Sequence, residues 1–185
     1  MLFKAFPKKL RKDIMVTWFF ILFKFFNLIF NSDVESFEFK LDNETVKIPY
    51  RTYYVPNFKW LTSVLSQTQK KILYCIYTRS HDGYVREQYI KKILEQKIEE
   101  WEIPFIVKLC DDYVIEILEL IYDKLKDRDN TDIKSFCLNN KKEIFKSYSR
   151  MVSYWNEYYR EINFKDYVGR KIFVECLGYS KDFNK

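Results

Sequence analysis

Few residues of this 185-residue chain have the types and spacing that a catalytic or metal-binding site requires. Its single histidine, His81, precedes Asp82, a pairing that a general base could use. No nucleophile or second orienting group lies near this pair in the sequence, so a turn residue that caps or packs is the favoured interpretation. A single histidine also leaves no catalytic triad, no HExxH motif and no multi-histidine metal site to be built.

The glycines, cysteines and paired acids exclude further kinds of site. The chain has 3 glycines, where average usage would give about 13, so it has no phosphate loop and no dinucleotide fingerprint. The four cysteines form no CxxC pair, so we interpret Cys75 and Cys110 as small buried hydrophobes in a reducing, cytoplasmic compartment. Asp111 and Asp112 match no calcium loop, and helix capping explains them. We therefore expect no catalytic residue, metal site or small-molecule cofactor.

The basic residues that could bind an anionic partner are concentrated at the two ends of the chain. Of the net charge of +6, residues 1–12 contribute +5 and residues 140–185 contribute +4, while residues 13–139 carry −3. This distribution does not favour a field that attracts nucleic acid over the whole surface.

A predicted C-terminal helix, about residues 141–161, is the strongest candidate surface. Apolar residues at helical spacing predict that one face of this helix packs in the core: Phe145, Tyr148, Val152, Trp155 and Tyr159. The other face and the residues after it form a candidate protein or nucleic-acid surface: Lys142, Lys146, Arg150, Tyr154, Tyr158, Arg160, Lys165, Arg170 and Lys171. Cations interleaved with exposed aromatics can bind phosphates and stack bases, whereas a solvated charged face is the ordinary alternative. Trp101 and Tyr113 could line a groove or pack in the core.

Residues 14–30 are the most apolar stretch and follow five basic residues. From Met15 to Phe30 a helix would span ~24 Å, less than the ~30 Å of a bilayer core. Polar residues at spacings of three, four or seven predict one narrow wet stripe: Asp13, Thr17, Lys24, Asn27 and Asn31. The pattern favours a core helix, with a membrane-surface or anchor helix within residues 8–30 and a partner-docking helix as alternatives.

Apolar and polar residues alternate with period two on both sides of residues 42–44, which predicts a β-hairpin with a tight turn. The alternating apolar positions are Phe37, Phe39, Leu41, Val46, Ile48 and Tyr50. Pro49 cannot donate a ladder hydrogen bond, so its strand should be an edge strand or carry a bulge.

The helical pattern after residue 57 contains two similar runs. They are HDGYVREQYIKKIL over residues 81–94 and IPFIVKLCDDYVIEILELIYDKL over residues 103–125. Ser66 and Gln69 predict a capping box that starts the helix before the first run. Pro104 suits the first turn of a helix in the second run.

These runs resemble HEAT-like repeats over about residues 67–126, with a weaker match over 131–160. Val85 and Val114 would be equivalent positions, 29 residues apart. The resemblance implies four structural turn residues: Asp82, Gly83, Arg86 and Asp111. The acids would cap the second helix of each pair and the arginine would tie neighbouring turns together. It also implies stacked helical hairpins, which usually bind partners.

The sequence as a whole predicts a mainly α protein, a short α-solenoid of stacked HEAT-like helical hairpins with one N-terminal β-hairpin. We expect residues 1–56 to form a helix-plus-hairpin cap, packed as one domain with a helical-repeat-like region over residues 57–185. The first functional hypothesis is a non-catalytic module that binds another protein. The alternatives are a nucleic-acid-binding protein, including a HEAT-like DNA-repair type, and a membrane-associated protein that uses the N-terminal helix.

Overall fold

A computed structural model describes residues 2–22, 35–53, 63–180 and 183. This part of the chain is mainly helical with one antiparallel pair of strands, as predicted. The strands are β1 (Ser36–Leu41) and β2 (Glu44–Pro49). The eight α-helices of the described residues are α1 (Arg11–Leu22), α2 (Gln67–Tyr77), α3 (Gly83–Leu94), α4 (Ile103–Leu109), α5 (Ile115–Leu125), α6 (Thr131–Asn139), α7 (Lys141–Tyr158) and α8 (Val168–Lys171). A π-helical turn, Ile172–Cys176, continues α8, and 3-10 turns cover Leu2–Lys4, Lys8–Leu10 and Glu100–Glu102.

The chain divides into two compact units, Met1–Tyr89 and Ile90–Lys185. In the first unit α1 packs against α2, and in the second unit α5 packs against α8 and its π-helical turn. The predicted boundary at residue 56 lies outside the described residues, and the stacking of HEAT-like hairpins stays a prediction. Among the described residues, no helix combines the length and the apolar character that crossing a membrane requires.

The β-hairpin forms where the alternating pattern predicts it. Leu41 pairs with Glu44 across a two-residue turn, and the ladder ends where Ser36 pairs with Pro49. Asp42 has a φ of 51°, a left-handed conformation that aspartate tolerates better than most residues. One face of the hairpin is buried and consists of Phe39, Leu41, Val46 and Ile48.

Arg79, which is buried just after α2, fixes the end of the hairpin. Its Nε donates to the carbonyl oxygen of Pro49 (3.0 Å) and its Nη2 to that of Tyr50 (2.6 Å). Beside it, the backbone N–H of Thr52 donates to the carbonyl oxygen of Arg79 at 2.7 Å. These bonds satisfy backbone carbonyls at the end of β2 and attach the hairpin to the helical part of its unit.

Two helices start where their sequence signals predict. At α2, the hydroxyl of Ser66 accepts from the backbone N–H of Gln69, and the Gln69 side chain accepts from the backbone N–H of Ser66. This confirms the predicted capping box. Pro104 lies in the first turn of α4, where a missing N–H costs nothing.

The predicted wet stripe of α1 is wrong over the described residues. Thr17 is fully buried, and its hydroxyl donates to the carbonyl oxygen of Asp13 at 2.8 Å. The carboxylate of Asp13 accepts from the side-chain amide of Gln69 on α2 at 3.0 Å. The polar residues therefore face α2, because its first turn offers them hydrogen-bond partners. The rest of the predicted stripe, residues 24, 27 and 31, lies outside the described residues.

The predicted core stripe of α7 is rotated from the observed one. The fully buried residues are Ile144, Ser147 and Met151, whereas Phe145 is exposed. The remaining members of the predicted stripe, which are Tyr148, Val152, Trp155 and Tyr159, are half-buried. At buried Met151 a neighbouring element approaches closely, since a Cβ on Gly169 of α8 would lie 2.9 Å from Cγ of Met151.

All four cysteines are buried and unbridged, which confirms the interpretation of Cys75 and Cys110. Burial raises the thiol pKa to about 12 for Cys137 and, aided by Glu175, to about 11 for Cys176. Burial likewise raises the pKa of Cys110 well above its usual range. The thiols therefore behave as small apolar side chains.

We expect the native thiols to resist Ellman's reagent near neutral pH, with four reacting once urea unfolds the chain. Because its folded pKa is raised, the Cys137 thiol contributes stability that is fully present below about pH 9 and is lost as the pH rises through about 12. The difference in unfolding free energy between wild type and Cys137→Ala should therefore shrink over this range. A difference that stays constant with pH would contradict the assignment.

Gly169→Ala is expected to lower the free energy of unfolding by about 1–3 kcal/mol, because its methyl group overpacks the site. An added Cβ would lie 2.6 Å from Cε1 of buried Tyr167. The matched control is Gly83→Ala at the start of α3, where φ is not positive and alanine favours the helix. Urea unfolding followed by circular dichroism measures both, and equal stabilities would refute the close approach.

Candidate functional site

Five side chains at four-residue intervals form a stripe along α7. From the N-terminal end they are Lys142, Lys146, Arg150, Tyr154 and Tyr158. Residues four apart are neighbours on a helix surface, so the stripe is continuous. Its N-terminal part is cationic and its C-terminal part is aromatic. We call these five residues the α7 stripe.

Two cations of the α7 stripe are engaged with carboxylates of the same unit. Lys146 Nζ lies 2.7 Å from Oε1 of Glu143, one turn earlier. Arg150 Nη1 lies 3.0 Å from Oδ2 of Asp111, and the arginine side chain is 28% exposed. The cationic part of the stripe is therefore largely neutralised where it meets the aromatic part.

Asp111 forms the buried centre of this arrangement rather than a helix cap. Its carboxylate accepts hydrogen bonds from the buried ammonium of Lys108 as well as from Arg150. Before α5, Oδ1 of Asp112 accepts from the backbone N–H of Val114 at 3.2 Å, but Val114 is the N-cap residue and no side-chain hydrogen bond caps the helix. The capping role that the HEAT-like resemblance implies for Asp111 is therefore not observed, because Asp111 belongs to the turn that ends α4, within reach of Lys108.

Three tyrosines gather at the aromatic end of the stripe. The ring centroid of Tyr113 lies 5.9 Å from that of Tyr154 and 6.4 Å from that of Tyr158, and the last two are 6.2 Å apart. Tyr113 is 43% exposed and Tyr158 is 56% exposed. These distances are typical of favourable ring pairs. We call Tyr113, Tyr154 and Tyr158 the tyrosine patch.

Two links hold the tyrosine patch in register. Asp111 lies two residues before Tyr113, and Arg150 lies one turn before Tyr154, so their ion pair joins the two sides of the patch. The hydroxyl of Tyr159 also donates to the carbonyl oxygen of Tyr113 at 2.8 Å. The loop that carries Tyr113 is therefore fastened to α7 at two points.

The other predicted surface residues lie beyond α7 and make local contacts. Arg160 donates to the side-chain oxygen of Asn156 from Nε (3.1 Å) and Nη2 (2.6 Å). Arg170 lies over the ring of Phe164, 5.8 Å from its centroid. Lys165 is exposed and Lys171 is half-buried. These four residues lie after the stripe rather than in it.

The predicted turn residues of the first unit stabilise their own turn. Asp82 Oδ1 accepts from the backbone N–H of Tyr84 at 2.9 Å, next to Gly83, where α3 begins. Arg86 is fully buried, and its Nη1 donates to the carbonyl oxygens of Ser80 (3.1 Å) and His81 (3.0 Å). The arginine thus fastens the turn before its own helix.

His81 and Trp101 have packing roles. The ring of His81 stacks on that of Tyr53 with centroids 5.0 Å apart, which agrees with a packing turn residue. Trp101 is buried, so it belongs to a core and does not line a groove. The sequence associates Tyr113 with Trp101, in a groove or in the core, and nothing in the spacing links Tyr113 to a helix that starts 28 residues later.

The described residues contain no cluster of three or more His, Cys, Asp or Glu side chains able to hold a metal ion. An open cleft in the second unit is lined in part by Glu95, Lys97, Arg128, Asp129 and Asp132. Its walls carry both signs of charge and so give no strong single-sign field. The tyrosine patch is therefore the better candidate for a binding site.

No family model matches the chain, and neither a curated protein nor a solved structure matches it significantly.

Asp111→Asn is expected to lower the free energy of unfolding by about 3–5 kcal/mol, because it removes the buried carboxylate that two cations share. Arg150→Gln should cost less, since its side chain is partly exposed and Lys108 keeps its carboxylate. Asp123→Asn, which breaks an exposed ion pair with Lys126, is the matched control and should leave stability unchanged. Urea unfolding measures all three. Equal effects of Asp111→Asn and Asp123→Asn would contradict the central role of Asp111.

Proposed function

We propose that the protein is a non-catalytic binding protein that contacts another protein through the tyrosine patch and the α7 stripe. The observation that carries this proposal is the gathering of three partly exposed tyrosines beside Arg150. Tyrosine and arginine are enriched among the residues that dominate binding energy at protein interfaces. Tyrosine also offers a large contact area with few rotatable bonds.

Pre-organisation of the patch supports the same proposal. Binding is weakened when loops and side chains must become ordered at the interface. The Arg150–Asp111 ion pair and the Tyr159 hydrogen bond order the loop of Tyr113 before any partner arrives. A partner would therefore meet a preformed aromatic surface.

The partner that fits is a protein segment with apolar or aromatic side chains at one end and carboxylates at the other. The apolar groups would pack on the rings of Tyr154 and Tyr158. The carboxylates would face the exposed ammonium of Lys142, about three helical turns from Tyr154 and about four from Tyr158. Charge at the edge of an interface mainly accelerates and orients association.

Nucleic-acid binding by the same surface has weaker support. Binding to nucleic acid is favoured because counterions are released from it. The effect grows with the number of phosphates that the protein's cations neutralise. Lys146 and Arg150 already have carboxylate partners, so phosphates would compete with Glu143 and buried Asp111. The tyrosines could stack bases, but the cationic part of the stripe favours a protein partner.

The stacked HEAT-like arrangement belongs to the same proposal. It is supported by two similar turns, in which Asp82 and Asp112 each accept a hydrogen bond from the backbone N–H two residues later. The donor is Tyr84, in the first turn of α3, in one case and Val114, immediately before α5, in the other. These two acids are 30 residues apart, one more than the 29 residues that separate Val85 from Val114.

A Tyr154→Ser/Tyr158→Ser variant is expected to lose its protein partner, with enrichment in quantitative affinity capture falling about tenfold or more. Capture uses nuclease-treated lysate of the native host. The matched control is Tyr84→Ser, which changes a highly exposed tyrosine in the first unit. Circular dichroism and urea unfolding establish that each variant is folded.

Photocrosslinking identifies the contact directly. A benzophenone amino acid at position 158 should crosslink the partner, whereas the same group at position 84 should not. Equal capture by both tyrosine variants, or equal crosslinking from both positions, would refute the proposal. Binding of an oligonucleotide at low salt that disappears in the Tyr154→Ser/Tyr158→Ser variant would instead favour nucleic acid.

A further inference from the structure

The outer face of α1 is apolar. Met15 is 58% exposed, Val16 is 38% exposed and Phe19 is 64% exposed. Residues at i, i+1 and i+4 lie on one side of a helix, so these side chains form one patch. Moving large apolar side chains out of water lowers the free energy. A contiguous group of them on a surface therefore marks a contact site.

Phe3 lies near the same segment. It is partly exposed, and its ring packs edge to face on Trp18 of α1 at 6.1 Å between centroids. The N-terminal 3-10 turn thus adds an aromatic side chain beside the helix. Aromatic rings with one wet edge are common at the boundary between lipid chains and water.

Cations surround the N-terminal end of this apolar face. The exposed basic residues before it are Lys4, Lys8, Lys9, Arg11 and Lys12. Residues 1–12 contain no acidic residue. Arg11 and Lys12 lie one turn before Met15 and Val16, so their charges lie at the end of the apolar face.

Two carboxylates of the same unit lie beside this segment. Asp13 accepts from the Gln69 side chain of α2, and Glu44 accepts from the backbone N–H of Lys8. A carboxylate that accepts from a neutral group stays charged, so the five cations and these two carboxylates sum to +3. An apolar face with this basic border has the charge complementarity that an anionic bilayer surface requires.

We propose that α1 docks parallel to the surface of a bilayer that contains anionic headgroups. Met15, Val16 and Phe19 enter the boundary between headgroups and acyl chains, while the lysines and Arg11 contact the phosphate and carboxylate groups of the lipids. The two contributions reinforce each other, because neither a small apolar patch nor a short basic segment alone gives stable anchoring. This surface shares no residue with the tyrosine patch, so either proposal can fail without the other.

Cosedimentation of the full chain with vesicles tests the proposal. Vesicles of equal parts phosphatidylcholine and phosphatidylserine should bind the protein at low salt, and pure phosphatidylcholine vesicles should bind it far less. Met15→Ser/Phe19→Ser should reduce partitioning about tenfold or more, and Val64→Ser, at an exposed apolar residue outside the face, should not change it.

A charge-matched pair of variants separates the basic border from overall charge. Lys9→Gln/Lys12→Gln should lower partitioning about fivefold for each cation lost, whereas Lys91→Gln/Lys124→Gln should have little effect. The substituted side chains are exposed, and circular dichroism confirms that the variants are folded.

Three results would overturn the proposal. The first is no binding of wild type to the anionic vesicles at low salt. The second is equal binding by Met15→Ser/Phe19→Ser. The third is a concentration-dependent dimer in sedimentation velocity that this variant abolishes while vesicle binding is unaffected, which would assign the face to a second copy of the chain.

Discussion

The central interaction of the second unit is the pairing of the buried Asp111 carboxylate with two cations. A buried carboxylate is costly unless cations and hydrogen bonds compensate for the lost water. Lys108 compensates from the end of α4 and Arg150 from the middle of α7. The requirement to pair one charge thus joins two distant parts of the sequence, and it places Tyr113 against Tyr154 as a consequence.

Aromatic residues make up 19% of the chain, and several of them have a structural role beside the tyrosine patch. Ring contacts continue inward from Tyr158 through Tyr159 to Tyr167, which is fully buried. Burial raises the pKa of Tyr167, so its ring enters the core as a neutral group. Because close-packed cores resist deformation, a patch that continues into the core is held more firmly than one on a free loop.

Local signals in the sequence were sufficient to locate the helices and strands, but not to predict which face of each helix is buried. Alternation located the hairpin, and Ser66 with Gln69 located the start of α2, because these signals involve residues close in sequence. The predicted stripe of α7 was rotated because it was drawn through the large aromatic residues, whereas the buried face includes Ser147, a small polar residue that periodicity does not mark as core. The role of Asp111 could not be predicted either, since its second cation lies 39 residues away.

The same limit explains α1, and it links the two proposed surfaces. A polar residue predicts a wet face only when no other element offers it a partner, and Gln69 of α2 provides one for Asp13. The buried side of α1 contains Thr17 together with Ile14 and Ile21, and Met15 and Phe19 lie on the exposed side. In both units, therefore, polar groups that are hydrogen-bonded inside the unit help to fix the orientation of a helix whose other side remains exposed, α7 at Asp111 and α1 at Thr17.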